Sequence, residues 1–168
     1  RDSLQGDRAI LSIIKKMGGH LVEQDGKIIA KRSNTKGVKI DVSQCPDIVP
    51  ILAVLGALSE GKTEIVRAGR LRIKESDRLK AMTRELRRLG AEIYEQEDGL
   101  VIIGKKFLRG GVVDSWNDHR VAMALAIASI RCREPVILTN SDTVKKSYPG
   151  FFDDFKKLGG TVDDWSRK

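Results

Sequence analysis

Three segments of the sequence resemble one another, and this internal repeat constrains the fold more than any other feature. The segment KKMGGHLVEQDGKI at 15–28 returns as RRLGAEIYEQEDGLVI at 87–102 and, shortened, as KKLGGTVDDW at 156–165. Gly18, Gly90 and Gly159 correspond, with offsets of 72 residues (90 − 18) and 69 residues (159 − 90). Repeated units of this kind bury their apolar faces against one another. The repeat therefore predicts a duplicated architecture.

A second pair of segments has nearly the same offset. GVKIDVSQCPDIVPILAVLGAL at 37–58 resembles GVVDSWNDHRVAMALAIAS at 111–129, and Asp47 corresponds to Asp118, 71 residues later (118 − 47). The stretches 48–58 and 121–130 are apolar nearly all round, which is typical of helices buried on every side. Each repeat therefore contains one fully buried helix.

The remaining elements of a repeat follow from its hydrophobic period. Apolar residues at helical spacing precede each of the three glycines, and a glycine after such a run indicates the end of a helix. Short alternating segments follow, with Asp25-Gly26 and Asp98-Gly99 as predicted hairpin turns. The predicted order is strand, buried helix, strand, amphipathic helix and two strands, which makes the fold α/β (α+β) with repeated βαβαββ units.

Composition limits the classes of protein to consider. A chain of 168 residues buries one sizeable core, and the sequence has no uncharged apolar run long enough to cross a membrane. The net charge of +8 suits anionic partners, but aromatic residues make up only 5% of the chain, which leaves few platforms for stacking nucleic-acid bases. We therefore expect no membrane and no nucleic acid among the partners.

Polar residues cluster at the junctions before the predicted helices, namely PD at 46–47, KESDR at 74–78, NDHR at 117–120 and KKSYP at 145–149. Helix N-termini attract anions. A basic residue at this end of a helix opposes the helix dipole, which makes Arg78, Arg120 and Lys146 unfavourable there by themselves. An anion bound beside them would offset this cost. Ser76 and Ser147 are the predicted N-caps.

A purely structural role for these charges is the alternative. It would pair Arg78 with Glu75 or Asp77, pair Arg120 with Asp118, leave Lys146 solvated and make Asp47 an N-cap. On spacing alone, the two interpretations stand side by side.

Four motifs resemble the 5-enolpyruvylshikimate-3-phosphate synthases, the shikimate-pathway enzymes targeted by glyphosate: PDIVP at 46–50, RIKESDR at 72–78, DSWNDHRVAMALA at 114–126 and KKSYPGFFDDF at 145–155. They occur in the family's order over nearly the whole chain. The resemblance implies transfer of the enolpyruvyl group from phosphoenolpyruvate to the 5-hydroxyl of shikimate 3-phosphate, with release of phosphate. The sequence has no candidate ligand cluster for a metal, and no cofactor is predicted.

The resemblance also implies roles for individual residues. Arg78, Arg120 and Lys146 match phosphoenolpyruvate-binding residues, and Asp47 and Lys74 match contacts to shikimate 3-phosphate. Asp47, Glu75 and Lys146 match the candidate proton-transfer groups. Arg70 stands where the family often has an asparagine that contacts shikimate 3-phosphate, so this chain departs from the pattern there.

The family is longer than this chain and has two lobes, so the chain corresponds to the C-terminal part of one lobe, an inside-out barrel. We predict the end of one unit at 1–35, a second unit at 36–106 and a third at 107–168, with a strand near 160–162 and the final strand missing. The missing N-terminal part of the enzyme is then an obligate partner, and the isolated chain is expected to be inactive. The family and the cysteine usage indicate the cytoplasm.

Three other interpretations are weighed beside this one. The related UDP-N-acetylglucosamine enolpyruvyl transferases share the fold, but the KESDR and NDHR motifs favour the shikimate enzymes. An RNA 3′-terminal phosphate cyclase would need a nucleotide-linked histidine, for which only His20 and His119 are available. A non-catalytic basic module would bind RNA through the same junctions, with strong salt dependence.

Overall fold

The computed structural model describes residues 6–164 and has the predicted alternation of helices and strands. The helices are α1 (Ala9–Lys16), α2 (Val49–Ala57), α3 (Arg78–Arg88), α4 (His119–Ser129) and α5 (Phe151–Lys157). The strands are β1 (His20–Gln24), β2 (Lys27–Lys31), β3 (Lys39–Asp41), β4 (Lys62–Val66), β5 (Glu92–Gln96), β6 (Gly99–Ile103), β7 (Gly111–Asp114) and β8 (Val136–Thr139). From β3 to β6 the order of elements is the one predicted for a complete unit.

The strands of the described residues form three sheets. A four-stranded sheet has the order β3-β4-β6-β5, in which β3 and β4 are parallel and β6 is antiparallel to both of its neighbours. The β1–β2 hairpin and the parallel β7–β8 pair are separate two-stranded sheets. None of the helices between residues 6 and 164 is long and apolar enough to span a membrane.

The predicted buried helices are confirmed. Most residues of α2 and α4 are buried, and the two helices belong to one hydrophobic core that also contains the apolar face of α3. A second, smaller cluster joins α4 to α5 through Ala122, Ala126, Phe151 and Phe155. The N-termini of α2, α3 and α4 are thereby held close together, which is the part of the fold that positions the site described below.

The glycine signals at the helix ends are also confirmed. Gly18, Gly90 and Gly159 follow α1, α3 and α5 with φ values of 88°, 86° and 98°. A left-handed residue just after a helix lets the chain turn back and satisfy the last carbonyl groups, and glycine adopts it without strain. The three repeats therefore end their amphipathic helices in the same way.

The structure corrects the second hairpin turn by one residue. The turn after β1 is Asp25-Gly26, as predicted, but the turn after β5 is Glu97-Asp98, and Gly99 already pairs with Gln96 as the first residue of β6. Gly99 is needed for a different reason, because a Cβ there would lie 2.0 Å from the backbone oxygen of Ile65 on β4.

Both predicted serine caps are wrong. Asp77, not Ser76, caps α3 by accepting a hydrogen bond from the Lys80 amide at 3.1 Å. A 3-10 helix, Ser141–Lys146, precedes Ser147, and α5 begins only at Phe151. The two lysines of KKSYP therefore end a 3-10 helix instead of opening an α-helix.

The strand expected near residues 160–162 is not formed, since the described residues after α5 have no strand. A strand needs a neighbouring edge with which to pair, and the only partner that β7 has within the described chain is β8. One face of this pair stays open, with Val112 56% exposed and Ile137 41% exposed.

Candidate active site

Residues from three helix starts converge on one side chain, Arg78. Asp47 lies in the 3-10 helix Pro46–Ile48 that leads into α2, Arg78 is the first residue of α3, and Asp118 is the N-cap of α4. These residues are 31 and 40 positions from Arg78 in sequence. The packing of the three helices therefore creates the cluster.

Arg78 is the buried centre of this cluster, with a side chain only 2% exposed. Its Nε donates to Asp118 Oδ2 at 2.7 Å and its Nη2 to Asp118 Oδ1 at 3.3 Å, while Nη1 donates to Asp47 Oδ1 at 2.8 Å. Nη2 also donates to Glu75. Burial alone lowers the pKa of the guanidinium, but the bond to Asp118 and the surrounding carboxylates outweigh it and raise the pKa.

Asp118 is fully buried, and its carboxylate both caps α4 and binds Arg78. Its carboxylate accepts from the backbone amide of Arg120 at 2.9 Å, which caps α4, and from the Ser76 hydroxyl at 3.0 Å. Burial raises its pKa, but the bond to Arg78 outweighs this, and the net effect is a lowered pKa. Asp118 is therefore ionised at neutral pH and holds α3 to α4.

Asp47 lies between the buried and the exposed cations. Besides the bond from Arg78, its Oδ1 is 3.3 Å from Lys74 Nζ and its Oδ2 is 3.9 Å from Arg120 Nη2. Burial raises the pKa of Asp47, but the Lys74 bond and the charges of Arg120 and Arg78 together lower it. The alternative that Asp47 is an N-cap is wrong, because Asp47 lies inside the 3-10 helix Pro46–Ile48, whose N-cap is Cys45, and the N-cap of α2 is Ile48.

Arg120 and Lys146 stand at the edge of the cluster. Arg120 Nη1 donates to the backbone oxygen of Asp47 at 3.3 Å and lies 3.5 Å from Asp7 Oδ2. Lys146 Nζ donates to the backbone oxygen of Asn117 at 2.7 Å and to its Oδ1 at 3.1 Å. Neither cation is buried, and both retain donors that an anion can use.

The structure brings together most of the residues singled out from the sequence, but not all of them. Asp47, Lys74, Glu75, Arg78 and Arg120 form one contact network, and Lys146 bonds to Asn117, the residue before Asp118. Arg70 is exposed, in the 3-10 helix Gly69–Ile73, and has no side-chain hydrogen bond or ion pair to the residues that the structure describes. Sequence reasoning missed Ser76 and Asp118 as direct partners of this network.

Glu75, Asp118 and His119 place three possible metal-ligand atoms within 4.8 Å of one another. The Arg78 guanidinium already binds both carboxylates. Since a fixed positive charge occupies the position between these carboxylates, the cluster is arranged around an arginine and not around a metal ion.

Comparisons with known proteins identify the family. The family model described as "EPSP synthase (3-phosphoshikimate 1-carboxyvinyltransferase)" matches residues 1–155. The chain belongs to the EPSP synthase family. A 3-phosphoshikimate 1-carboxyvinyltransferase of Clostridium novyi is 63% identical over 165 residues, covering 98% of this chain and 38% of that protein. The enzyme of the same name from Clostridium acetobutylicum is 62% identical over 164 residues, with the same coverage.

The EPSP synthase fold is seen in a solved structure as well. EPSP synthase from Acinetobacter baumannii superimposes with a TM-score of 0.86 at 30% identity, covering 94% of this chain and 40% of that one. The predicted fold class, an α/β enolpyruvyl transferase-like fold, is thereby confirmed. The chain spans about two fifths of the length of the EPSP synthases that it matches.

Proposed function

We propose that this chain is the C-terminal part of an enzyme that transfers the enolpyruvyl group of phosphoenolpyruvate to the 5-hydroxyl of shikimate 3-phosphate and releases phosphate. The observation that carries the proposal is the convergence of Asp47, Lys74, Arg78 and Arg120 at three helix starts, in a chain 63% identical to part of such an enzyme. Two substrates with several negative charges each require fixed cations at one place, and these helix starts supply them.

Phosphoenolpyruvate is assigned to Arg78, Arg120 and Lys146. These residues differ in how many of their hydrogen-bond donors are free to bind it. Arg120 and Lys146 have free donors facing solvent, whereas Arg78 already makes four hydrogen bonds to three carboxylates. A guanidinium has five N–H donors, so Arg78 binds a substrate fully only when one carboxylate moves away. Glu75 is the candidate, because its side chain is 44% exposed while that of Asp118 is fully buried.

Asp47 is the proposed base for the 5-hydroxyl of shikimate 3-phosphate. Its lowered pKa keeps the carboxylate ionised and able to accept a proton. Lys74, 3.3 Å away, is positioned to bind the same substrate, and Arg70 is a weaker candidate because it lies outside the contact network.

The remaining proton transfers are assigned to Glu75 and Lys146. Addition of the hydroxyl oxygen to phosphoenolpyruvate requires one proton at the methylene carbon, and elimination of phosphate removes one proton from the same carbon. Glu75 bonds to Arg78 and lies 3.7 Å from His119 Nδ1 through its other oxygen, which places a carboxylate beside the phosphoenolpyruvate cations. Lys146 serves as the acid.

The domain organisation is part of the same proposal. Residues 1–35, 36–106 and 107–168 would be parts of three units of one lobe, and the missing N-terminal part would complete the third unit and add further substrate contacts. The open face of the β7–β8 pair, with exposed Val112 and Ile137, supports a missing neighbour there. We place the enzyme in the cytoplasm, because both substrates are phosphorylated and do not cross membranes unaided.

RNA binding, the alternative function, finds little support in the surroundings of Phe107, the aromatic residue of the described chain with the most cations around it. Arg131, Arg133 and Lys106 lie 4.6, 5.5 and 5.8 Å from the Phe107 ring centroid. A single ring offers one stacking platform, whereas proteins that bind single-stranded nucleic acid stack successive bases on several aromatic side chains. Arg131 and Arg133 also follow the C-terminus of α4, where positive charge stabilises the helix.

A chimera tests the proposal directly. In it, this chain replaces the matching part of the Clostridium novyi relative, and phosphate release is measured with each substrate alone and with both together. We expect release only with both substrates, and a decrease of about 100-fold or more in Asp47→Asn. Lys80→Met, at an exposed position of α3 outside the site, is the control, for which a much smaller effect is expected. A folded chimera that releases no phosphate would contradict the proposal.

A further inference from the structure

A buried carboxylate on α3 lies behind the candidate site and has no part in the chemistry described so far. Glu85 is only 1% exposed, because it lies on the helix face that also buries Met82, Leu86 and Leu89. Placing a carboxylate in an apolar core is unfavourable unless hydrogen bonds compensate for it. The hydrogen-bond partners of Glu85 therefore indicate its role.

Two of its hydrogen bonds come from the segment that leads into α4. Glu85 Oε2 accepts from the backbone amide of Asp114 at 3.1 Å, and Oε1 accepts from the indole Nε1 of Trp116 at 2.9 Å. A third comes from Arg88 Nη1 at 3.0 Å, which neutralises the charge from the solvent side. The carboxylate thus joins the middle of α3 to the end of β7.

The segment held in this way has an unfavourable backbone conformation. Trp116 and Asn117 have φ values of 56° and 55°, in the left-handed region. Asparagine tolerates this region, but a bulky residue such as tryptophan rarely adopts it and needs its surroundings to hold it there. The indole bond to Glu85 is one such restraint, and the bond from the Trp116 amide to Asp114 Oδ1, at 2.6 Å, is another.

Helix α3 contacts the segment at two points. Arg78 binds Asp118 at one end, and Glu85 binds Asp114 and Trp116 at the other. Positions 78 and 85 are seven residues apart, which is two helical turns or about 10 Å, so both side chains leave the same face of the helix. The helix therefore acts as a rigid spacer for residues 114–118.

The consequence concerns the candidate phosphoenolpyruvate cations. Asn117 accepts both hydrogen bonds of Lys146, and Arg120 follows directly in the first turn of α4. A shift of the turn at 116–117 would move both cations together, whereas Asp47 and Lys74 are held by other elements.

We propose that Glu85 is a positioning residue, which holds the left-handed turn at 116–117 and thereby sets the places of Lys146 and Arg120 for phosphoenolpyruvate. Its relevance to the reaction rests on the proposed function. Its effect on the turn does not, so the two claims can be tested separately.

The first experiment needs no substrate and uses NMR of the labelled 168-residue chain. The sequence has two tryptophans, so Trp116→Phe assigns the indole signals. In Glu85→Gln we expect the Trp116 indole proton to exchange with water at least ten times faster, and the signals of Asn117, Arg120 and Lys146 to shift, while those of Lys74 stay in place. Glu92→Gln, on the neighbouring strand β5, is the matched control. Unchanged signals at Asn117 and Lys146 in a folded Glu85→Gln chain would overturn the proposal.

Trp116→Phe also keeps the test valid if Glu85→Gln does not fold. It retains a smaller aromatic ring and removes the indole donor, so we expect shifts at Asn117 and Lys146 as well. If both single variants fold, the double variant should shift these signals no further than Glu85→Gln alone, because Trp116→Phe removes one of the contacts that Glu85→Gln already alters. Additive shifts would mean that Glu85 and Trp116 act independently, which would overturn the proposal.

The second experiment measures kinetics in the chimera described above. In Glu85→Gln and Trp116→Phe we expect the KM for phosphoenolpyruvate to rise at least tenfold, and the KM for shikimate 3-phosphate to change less than twofold. Equal changes in both constants would indicate a general loss of structure and would overturn the positioning role. A chimera without activity contradicts the proposed function instead, and the NMR experiment then still decides whether Glu85 holds the turn.

Discussion

Arg78, the first residue of α3, donates two hydrogen bonds to Asp118, the N-cap of α4, through Nε at 2.7 Å and Nη2 at 3.3 Å. Both side chains are buried, with exposed fractions of 2% and 0%. A guanidinium and a carboxylate that face each other in this way form one of the stronger hydrogen-bonded ion pairs in proteins. The pair joins two helix starts and also fixes the orientation of a candidate substrate-binding cation.

Removing Arg78 should destabilise the chain strongly. Arg78→Met leaves the carboxylate of Asp118 buried without its cation, and breaking a buried pair in this way costs about 3–5 kcal/mol. Urea unfolding measures the loss. Lys80→Met is the control on the same helix, since Lys80 is exposed, and a change within about 0.5 kcal/mol is expected there. A small effect of Arg78→Met would mean that Asp118 takes up a proton or water readily.

The contribution of Asp118 to the stability of the folded chain should depend on pH. Its pKa in the folded chain is lowered from 3.8, so the folded state binds fewer protons than the unfolded state in acid. Its stabilising contribution is therefore present above pH 3.8 and is lost as the pH falls below that value towards the lower folded pKa. The difference in free energy of unfolding between the wild type and Asp118→Asn should shrink over that range. The difference for Leu52→Ala, a buried apolar control, should stay constant.

Replacing Lys146 should reduce the activity of the chimera far more than replacing its neighbour Lys145. Lys146 Nζ is held by Asn117 at the edge of the site, whereas Lys145 Nζ pairs with Asp142, whose side chain is 84% exposed. Because Lys146 is the proposed acid and a phosphoenolpyruvate ligand, Lys146→Met should lower kcat/KM for phosphoenolpyruvate by about 100-fold or more. Lys145→Met should change it less than about threefold, since exposed ion pairs contribute little. Equal losses in the two variants would remove Lys146 from the mechanism.

Replacing Thr63 with valine should leave the chain as stable as before or more so. Thr63 lies on β4, is fully buried, and its Oγ1 has no hydrogen-bond partner among the described residues. Valine has the same shape without the hydroxyl and suits a strand, so we expect stabilisation of up to about 1 kcal/mol in urea unfolding. A loss of more than 1 kcal/mol would show that the hydroxyl does have a partner.

Glycine at position 104 should be irreplaceable on steric grounds. A Cβ there would lie 1.4 Å from the backbone oxygen of Ser59, so Gly104→Ala forces β6 away from the turn before β4. We expect a decrease of about 3 kcal/mol or more in the free energy of unfolding. Gly150→Ala is the control, since the nearest heavy atom to its Cβ is 4.0 Å away. Equal stability of the two variants would contradict the close packing of these backbones.

Local patterns were sufficient to predict most of the secondary structure. The helices α2 and α4 were predicted from apolar residues on all sides, and the ends of α1, α3 and α5 from Gly18, Gly90 and Gly159. Errors arose where a local signal had another cause. Ser76 looked like a cap but bonds to Asp118 on α4, and Gly99 looked like a turn residue but lies against Ile65 on β4.

The sequence by itself determined the repeated α/β architecture, the membership of the EPSP synthase family and the identity of most candidate site residues, because these depend on periodicity and on motifs within short segments. Only the tertiary structure decided that Arg78 is surrounded by Asp47, Glu75 and Asp118, and that Glu85 binds the turn at Trp116. The physical reason is that the partners of a buried charge are chosen by how helices pack. Contacts across 31 and 40 residues leave no periodic signal in the chain.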